Sequence, residues 1–324
     1  MAVEAPFMNL EEALQATDAL MLDVVASEVS VLQDASRYII SAGGKRIRPH
    51  ILFLAYLSAG GDNLEDAVPL AAAVELVHTA TLVHDDINDH GRIRRGRRTI
   101  NEEWGRTFAL LTGDYLFTKV YSLMAPYGEL NVIFSEAAVA LVEGETLQAA
   151  AVKDNSLTRE TYQKIVAKKT ASLFRLSAVL GARFAEARKE HVEALGEYGF
   201  YLGLIFQIVD DLLDLVGDPR LMGKETGLDI AQGKGVAGVF AHLAGNGSGS
   251  APKVAVAEAQ AVAKDDDPFL PIKRRLIAGG AVEEGRQMAR LLAGQANAAL
   301  DRLPPHPAVD ELRDLVTFVL ERDS

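Results

Sequence analysis

Two short acidic clusters carry the clearest chemistry in this sequence: Asp85-Asp86-x-x-Asp89 and Asp210-Asp211-x-x-Asp214. Each ends a strongly apolar stretch, ELVHTATLVH before the first and FYLGLIFQIV before the second. On an α-helix, residues i and i+4 share a face and lie about 6 Å apart along the axis. The first and last aspartate of each triplet therefore project together, and the middle one turns aside. Carboxylates this close repel one another, and at a helix C-terminus they also oppose the macrodipole. Folding does not favour that placement, and a bound cation accounts for it. Oxygen ligands without His or Cys suit Mg²⁺, which keeps several waters and is commonly shared with substrate phosphates. One such triplet could equally be a solvated helix end. Two copies, each closing an apolar helix, are much harder to ascribe to chance. The first is no EF-hand, because no alternating Asp/Asn loop ending in Glu follows Asp85.

Cations surround these clusters in the sequence. Gly43-Gly44-Lys45-Arg46-x-Arg48-Pro49 places basic residues just before a helix, where they oppose the dipole. Arg92, Arg94, Arg95, Arg97 and Arg98 crowd the loop after the first triplet. Such a run is usually solvated or salt-bridged, yet Arg is the side chain best shaped for bidentate phosphate contact. Lys168-Lys169-Thr170, Lys224 and Lys234 are further candidates, though a lone Lys is more often surface than ligand. His78 lies two turns before Asp86, where a histidine is ordinarily a satisfied core residue, and Gln207 lies one turn before Asp211. Carboxylates for metal, cations for polyphosphate and apolar helices beneath them point to a substrate with a diphosphate head and a greasy tail. No GxxxxGK[ST] or GxGxxG motif supports a nucleotide kinase.

The elements that must position these groups read as helices. Leu10, Leu14, Ala19, Leu22, Val25, Val29 and Leu32 make 9–33 amphipathic, with a neighbour at 34–41. Gly43-Gly44 breaks the pattern and Pro49 suits the next helix start. Residues 64–89 form one long helix, apolar nearly all round and so buried in a bundle. Residues 90–101 read as a basic loop. Helices are expected at 102–125, 130–150, 158–180, 186–217 and 225–244, then three amphipathic segments from about 254. The stretch 245–253, GNGSGSAPK, is a surface loop. No strand pattern competes, and no strong interior boundary divides the chain, so a single all-α domain over 1–324 is expected.

Composition agrees. About half of the 324 residues are apolar, enough for a substantial core. Ala and Leu abundance favours helix. The formal net charge of −12 argues against nucleic-acid binding, and with no cysteine there is no disulfide or thiolate chemistry. The N-terminus lacks a basic region followed by an apolar run, and no uninterrupted apolar run reaches the ~18 residues of a membrane span. A soluble, cytoplasmic protein is expected.

The motifs resemble those of the trans-type polyprenyl diphosphate synthases: GGKRIRP at 43–49, ELVHTATLVHDDIND at 75–89, RRG at 94–96, EGETLQ at 143–148, KKTASLF at 168–174, FQIVDDLLD at 206–214, and GK at 223–224 and 233–234. The resemblance implies the helical bundle of the isoprenoid synthase type, with a central apolar cavity. It implies head-to-tail 1'-4 condensation of isopentenyl diphosphate onto an allylic diphosphate. Three Mg²⁺ ions would be held by Asp85, Asp89 and Asp210, with Asp86, Asp211 and Asp214 supporting. Arg94, Lys169, Lys224 and Lys234 would hold the allylic phosphates, and Lys45, Arg48, His78 and Arg95 the isopentenyl diphosphate. Thr170 and Gln207 would turn oxygen dipoles toward the allylic cation. Lys234 departs from the family pattern, being followed by Gly235-Val236-Ala237-Gly238 where many members have Thr-x-Pro. Intact aspartate triplets argue against a non-catalytic partner subunit, and the set Lys45, Arg48 and Arg95 argues against a terpene cyclase. The family is usually homodimeric, with 102–125 as candidate interface, and some long-chain members need a dissimilar second subunit.

Product length in such enzymes is commonly set beneath the first aspartate motif. Helical side chains tilt toward the N-terminus, so Thr81 and Ala80, then Val77 and Val74, would wall the tail pocket. Small residues at 80 and 81 imply a deep tunnel and a product of geranylgeranyl length or longer. Ala80→Phe should therefore shorten the product, and an unmoved product distribution would place the floor elsewhere.

Overall fold

A computed structural model describes residues 8–154, 156–216, 274 and 277–322. The chain groups into two compact units. The first comprises Met1–Ala138, Leu173–Gly199 and Asn297–Leu315, and the second Val139–Ser172, Phe200–Ala296 and Val316–Ser324. Lys224, Lys234, the helix expected at 225–244 and the loop at 245–253 lie outside the described residues, as does much of the segment following 254.

The fold is all-α, as the periodicity indicates. In the first unit, α1 (Leu10–Val24), α2 (Ser30–Ser41), α3 (Ile47–Ser58) and α4 (Leu64–Asn88) precede α5 (Ile100–Trp104) and α6 (Arg106–Met124). Helix α4 packs against α1, α3 and α6. It starts on Asn63, whose side chain accepts from the Glu65 amide, with Glu65 and Asp66 suiting the positive end of the dipole. Val74, Val77 and Ala80 are wholly buried, and Thr81 is 8% exposed. By length and apolarity α4 could cross a membrane, but most of it is packed inside the protein, which accounts for its composition. Helix α9 (Ser172–Phe184) continues this core. There Gly181 lies against α3 so closely that an added Cβ would fall 2.2 Å from the Leu52 carbonyl oxygen.

In the first unit three features depart from the periodicity. The helix expected over 9–33 ends at Val24, and the chain turns before Ser30, where the Ser27 hydroxyl accepts from the Val29 amide. The helix expected over 102–125 is broken by Gly105, whose φ of 82° no helix accommodates. The basic loop contains a two-stranded hairpin, β1 (Ile93–Arg94) with β2 (Arg97–Arg98). Its two turn residues, Arg95 (φ 52°) and Gly96 (φ 72°), both take the positive φ of a type I′ turn. A strand pair this short has no alternation to reveal it in sequence.

In the second unit, α7 (Glu129–Lys153) contributes its C-terminal part, followed by α8 (Arg159–Val166) and a π-helical turn, Ala167–Ala171, that leads into α9. Helix α10 (Lys189–Val216) carries the second aspartate triplet into this unit, where α11 (Ala281–Leu300) brings Gly285 against Leu212. Helix α12 (Pro307–Leu320) ends the described chain, and in the first unit its Leu312 carbonyl accepts from the buried Tyr198 hydroxyl at 2.8 Å. The helix expected over 158–180 is therefore three pieces, because the π turn interrupts it at the Lys-Lys-Thr motif.

Gly181→Ala should lower stability by about 1–3 kcal/mol through overpacking against a backbone that cannot yield. Chemical denaturation reads this, and an unchanged midpoint would show that α3 and α9 separate freely.

Candidate active site

Within the first unit, the Gly43-Gly44-Lys45-Arg46 segment forms a left-handed turn, with φ of 76° at Gly43 and 47° at Arg46. Such a conformation strains a non-glycine residue. Arg46 is held there by buried partners: Nε meets Asp18 Oδ1 at 2.6 Å, Nη1 meets Glu75 Oε1 at 2.9 Å, and Nη2 donates to the Ile40 carbonyl at 3.3 Å. Burial works against its charge, but Glu75 and Asp18 more than compensate and raise its pKa. Arg95 donates from its hairpin turn to the Gly43 carbonyl oxygen. Gly44 beneath it takes a φ of 154° that side chains rarely adopt, and a Cβ there would come within 2.9 Å of the Arg95 guanidinium.

Arg48, on the first turn of α3, is buried with its guanidinium 4.8 Å from the Phe174 ring centroid. Burial pushes it down to about 10, Glu75 opposes that shift, and Arg95 adds to it. Arg48 therefore remains charged at neutral pH. His78 is pushed well below the usual imidazole value by burial first, then by Arg48, Arg95, Arg94 and Arg46. The structure thus brings Arg48, His78 and Arg95 together around one buried carboxylate, Glu75, which is 2% exposed. Lys45 lies exposed on the adjoining turn. Sequence reading missed Glu75 and Arg46, although the alternation of a charge within an otherwise apolar helix was a usable signal.

Burial sorts the aspartates of the first triplet. Asp86 is 3% exposed, while Asp85 and Asp89 are partly accessible. Arg94, expected on phosphate, pairs here with Asp86: Nε and Nη2 both lie 2.8 Å from Oδ1. Burial raises Asp86 to about 6, Arg94 opposes this, and Asp85 and Asp89 reinforce it. The partly accessible stripe of α4 consists of His78, Leu82, Asp85 and Asp89, at helical spacing. Leu82 on this stripe was not singled out from sequence. The buried wall residues Val74, Val77, Ala80 and Thr81 lie to its side.

In the second unit, Asp211 (7%) and Asp214 (4%) are buried and Asp210 is partly accessible. Arg322, near the chain end, places Nη2 2.8 Å from Asp210 Oδ1 and stacks its guanidinium 4.9 Å from the Phe206 ring centroid. No motif marked Arg322 in the sequence. Lys168 and Lys169 ride on the π turn, a device frequent at functional sites. Lys169 Nζ lies 2.7 Å from Glu145 Oε1, and Lys168 pairs with Glu143. Gly144 between those glutamates lets α7 approach, since a Cβ would sit 2.6 Å from the Lys169 amide nitrogen. Thr170 Oγ1 donates to Gln207 Oε1 at 2.7 Å, and Gln207 Nε2 donates to Asp211 Oδ1 at 2.9 Å.

The donor set fits Mg²⁺. Only carboxylates are offered, and among the described residues no three His, Cys, Asp or Glu side chains form a cage. A hydrated Mg²⁺ held by few carboxylates and completed by phosphate needs no such cage.

The pH behaviour of His78 has a definite sign. A base whose folded pKa is depressed contributes fully to stability above its unfolded value of about 6.5, and stability is lost as pH falls below it. Between pH ~7 and ~5, His78→Gln should therefore lose melting temperature less steeply than the unaltered protein. Parallel curves would show that His78 protonates freely in the fold.

Residues 29–258 match the polyprenyl synthetase family. Over 98% of its length the chain is 36% identical to octaprenyl diphosphate synthase of Escherichia coli K12, covering all of that protein. It is 35% identical to heptaprenyl diphosphate synthase component 2 of Geobacillus stearothermophilus over the whole of both chains. Among solved structures, polyprenyl synthase from Caulobacter crescentus CB15, complexed with calcium and isoprenyl diphosphate, superposes with a TM-score of 0.87 at 33% identity, covering 97% of this chain and 96% of that one. With the motifs, the helical fold and these full-length likenesses in agreement, the chain belongs to the polyprenyl synthetase family and is a prenyl-transferring enzyme.

Proposed function

We propose that this enzyme condenses isopentenyl diphosphate head-to-tail (1'-4) onto an allylic diphosphate, giving a trans-polyprenyl diphosphate of geranylgeranyl length or longer, with long chains favoured. The observation that carries this reading is the division of labour within each aspartate triplet. The middle aspartates, Asp86 and Asp211, are buried on protein donors and Asp214 is buried too, whereas Asp85, Asp89 and Asp210 keep partial access, Asp210 beside Arg322. These three would hold the metal, as three Mg²⁺ ions, and Asp86, Asp211 and Asp214 would support them. Mg²⁺, when bound, neutralises charge developing on the departing diphosphate.

The chain's own residues supply the remainder. Arg94, Lys169, Lys224 and Lys234 would steady the allylic diphosphate, the last two lying outside the described residues. Lys45, Arg48, His78 and Arg95 would bind isopentenyl diphosphate. His78 would act there as a neutral hydrogen-bonding group, because burial and then the surrounding guanidiniums oppose its protonation. Thr170 and Gln207, hydrogen-bonded to each other at 2.7 Å, would turn oxygen dipoles toward the allylic cation, where fixed dipoles act without reorganisation. Apolar helix surface would keep water from that cation. The released diphosphate would take the final proton, so no side-chain base is required.

We assign the whole of 1–324 to one polyprenyl synthase domain acting in the cytoplasm; the full-length likeness to relatives supports the extent. A homodimer is supported by α6, which exposes Phe108 (42%), Leu110 (50%) and Leu111 (47%) to solvent. The names of the full-length relatives, octaprenyl and heptaprenyl synthases, support a long product.

Purified protein with Mg²⁺, labelled isopentenyl diphosphate and geranyl, farnesyl or geranylgeranyl diphosphate should give elongated products, sized by reversed-phase chromatography. Gel filtration should report a mass of two copies. Folded dimer that extends none of the three primers would overturn the proposal, and activity regained only with a dissimilar chain would replace homodimer by heteromer.

A further inference from the structure

Tyr162 is a residue that the motifs leave unassigned. It sits on α8, four positions ahead of the end of that helix, and its ring packs on a small buried cluster of Ala151, Leu157 and Ile165. Its hydroxyl leaves this apolar patch and donates to Asp211 Oδ2 at 2.5 Å. An O–H···O⁻ contact of that length belongs to the strong, charge-assisted class.

Asp211 is 7% exposed, and a carboxylate taken so far from water needs hydrogen-bond donors within the protein. Gln207 Nε2 supplies one to Oδ1, and Tyr162 supplies one to Oδ2. Both oxygens are thereby engaged on opposite sides, which fixes the carboxylate plane. The consequence passes along the network. Because the NH₂ end of Gln207 is spent on Asp211, its carbonyl end must face the other way, and there it accepts from Thr170 Oγ1. The orientation of the Gln207 amide, and of the Thr170 hydroxyl on the π turn, is thus determined by a carboxylate that Tyr162 holds from behind.

We propose that Tyr162 is a positioning residue that, through Asp211, orients both the second aspartate triplet and the Thr170–Gln207 dipole pair. This rests on the prenyl-transfer reading for what the dipoles do, but not for the effect on metal. Asp210 adjoins Asp211 in the chain and Asp214 lies one helical turn on, so a loosened Asp211 disturbs a carboxylate set built for a divalent ion. Outer partners of metal-holding groups typically matter by about 10–100-fold in metal affinity or activity when removed.

Tyr162→Phe removes one oxygen and keeps the ring in its apolar cluster. Mn²⁺ binding in the presence of inorganic diphosphate, followed by electron paramagnetic resonance, should weaken by about tenfold or more in Y162F. The turnover number should fall similarly, while KM for isopentenyl diphosphate stays unchanged, since the prenyl-transfer reading assigns that diphosphate to Lys45, Arg48, His78 and Arg95. In Asp211→Asn, adding Y162F should cost little further Mn²⁺ affinity, because the hydroxyl acts through that carboxylate. Unaltered Mn²⁺ affinity in folded Y162F would overturn the proposal, and so would full additivity with D211N. A Y162F protein that melts far below the unaltered one would also count against it, by showing the hydroxyl to be structural. Mn²⁺ binding is read without any prenyl substrate. An unaltered protein that binds Mn²⁺ but elongates no primer would therefore sink the prenyl-transfer reading and leave the Tyr162 comparison standing.

Discussion

Like charges gathered out of water are held by buried counter-ions. Glu75 is the principal case: a carboxylate 2% exposed, around which Arg46, Arg48 and Arg95 collect. Burial and then Arg95 push the Arg48 guanidinium down, burial and then Arg46 and Arg94 push Arg95 down, and Glu75 opposes both shifts. With it, the cations stay charged. Arg94 does the converse for Asp86, and Arg322 for Asp210.

The helices can be seen as the means of delivering these charges. Helix α4 presents Glu75, His78, Asp85 and Asp89 along its length, while its apolar bulk is spent on α1, α3 and α6. The strained parts lie beside the charges. Arg46 and Arg95 both take left-handed backbone conformations, and each is held by its own guanidinium contacts. The π turn at Ala167–Ala171 shifts the Lys-Lys-Thr motif out of simple helical phase. Strain of this sort persists only where surrounding contacts over-determine it. The same over-determination keeps a binding group in one geometry before substrate binds.

Two kinds of glycine serve this design. Gly43 and Gly96 permit turns with positive φ, so that the loop at 43–46 and the hairpin can meet through Arg95. Gly144 and Gly181 permit approach, letting a helix lie almost on another backbone. In sequence both kinds are simply Gly, and only their neighbours in space tell them apart.

Much of this was legible in the residues. The apolar periodicity of 64–89 and the paired DDxxD spacing were enough for helices, a divalent cation and a diphosphate, because those properties follow from local chain geometry and ligand chemistry. Helix breaks at Gly105 and at the π turn were not, since helix propensity continues across them and tertiary packing decides the phase. Nor could sequence assign partners. Arg94 reads as a phosphate ligand yet grips Asp86, and Lys169 lies beside Glu145. Tyr162 and Arg322 lie outside every motif, and Glu75 opens one without the motif giving it a partner. Charge type and spacing along one helix are written in the chain itself. Which opposite charge lies across the gap depends on segments far apart in the chain, 112 positions for Arg322 and Asp210, and only the folded arrangement brings those together.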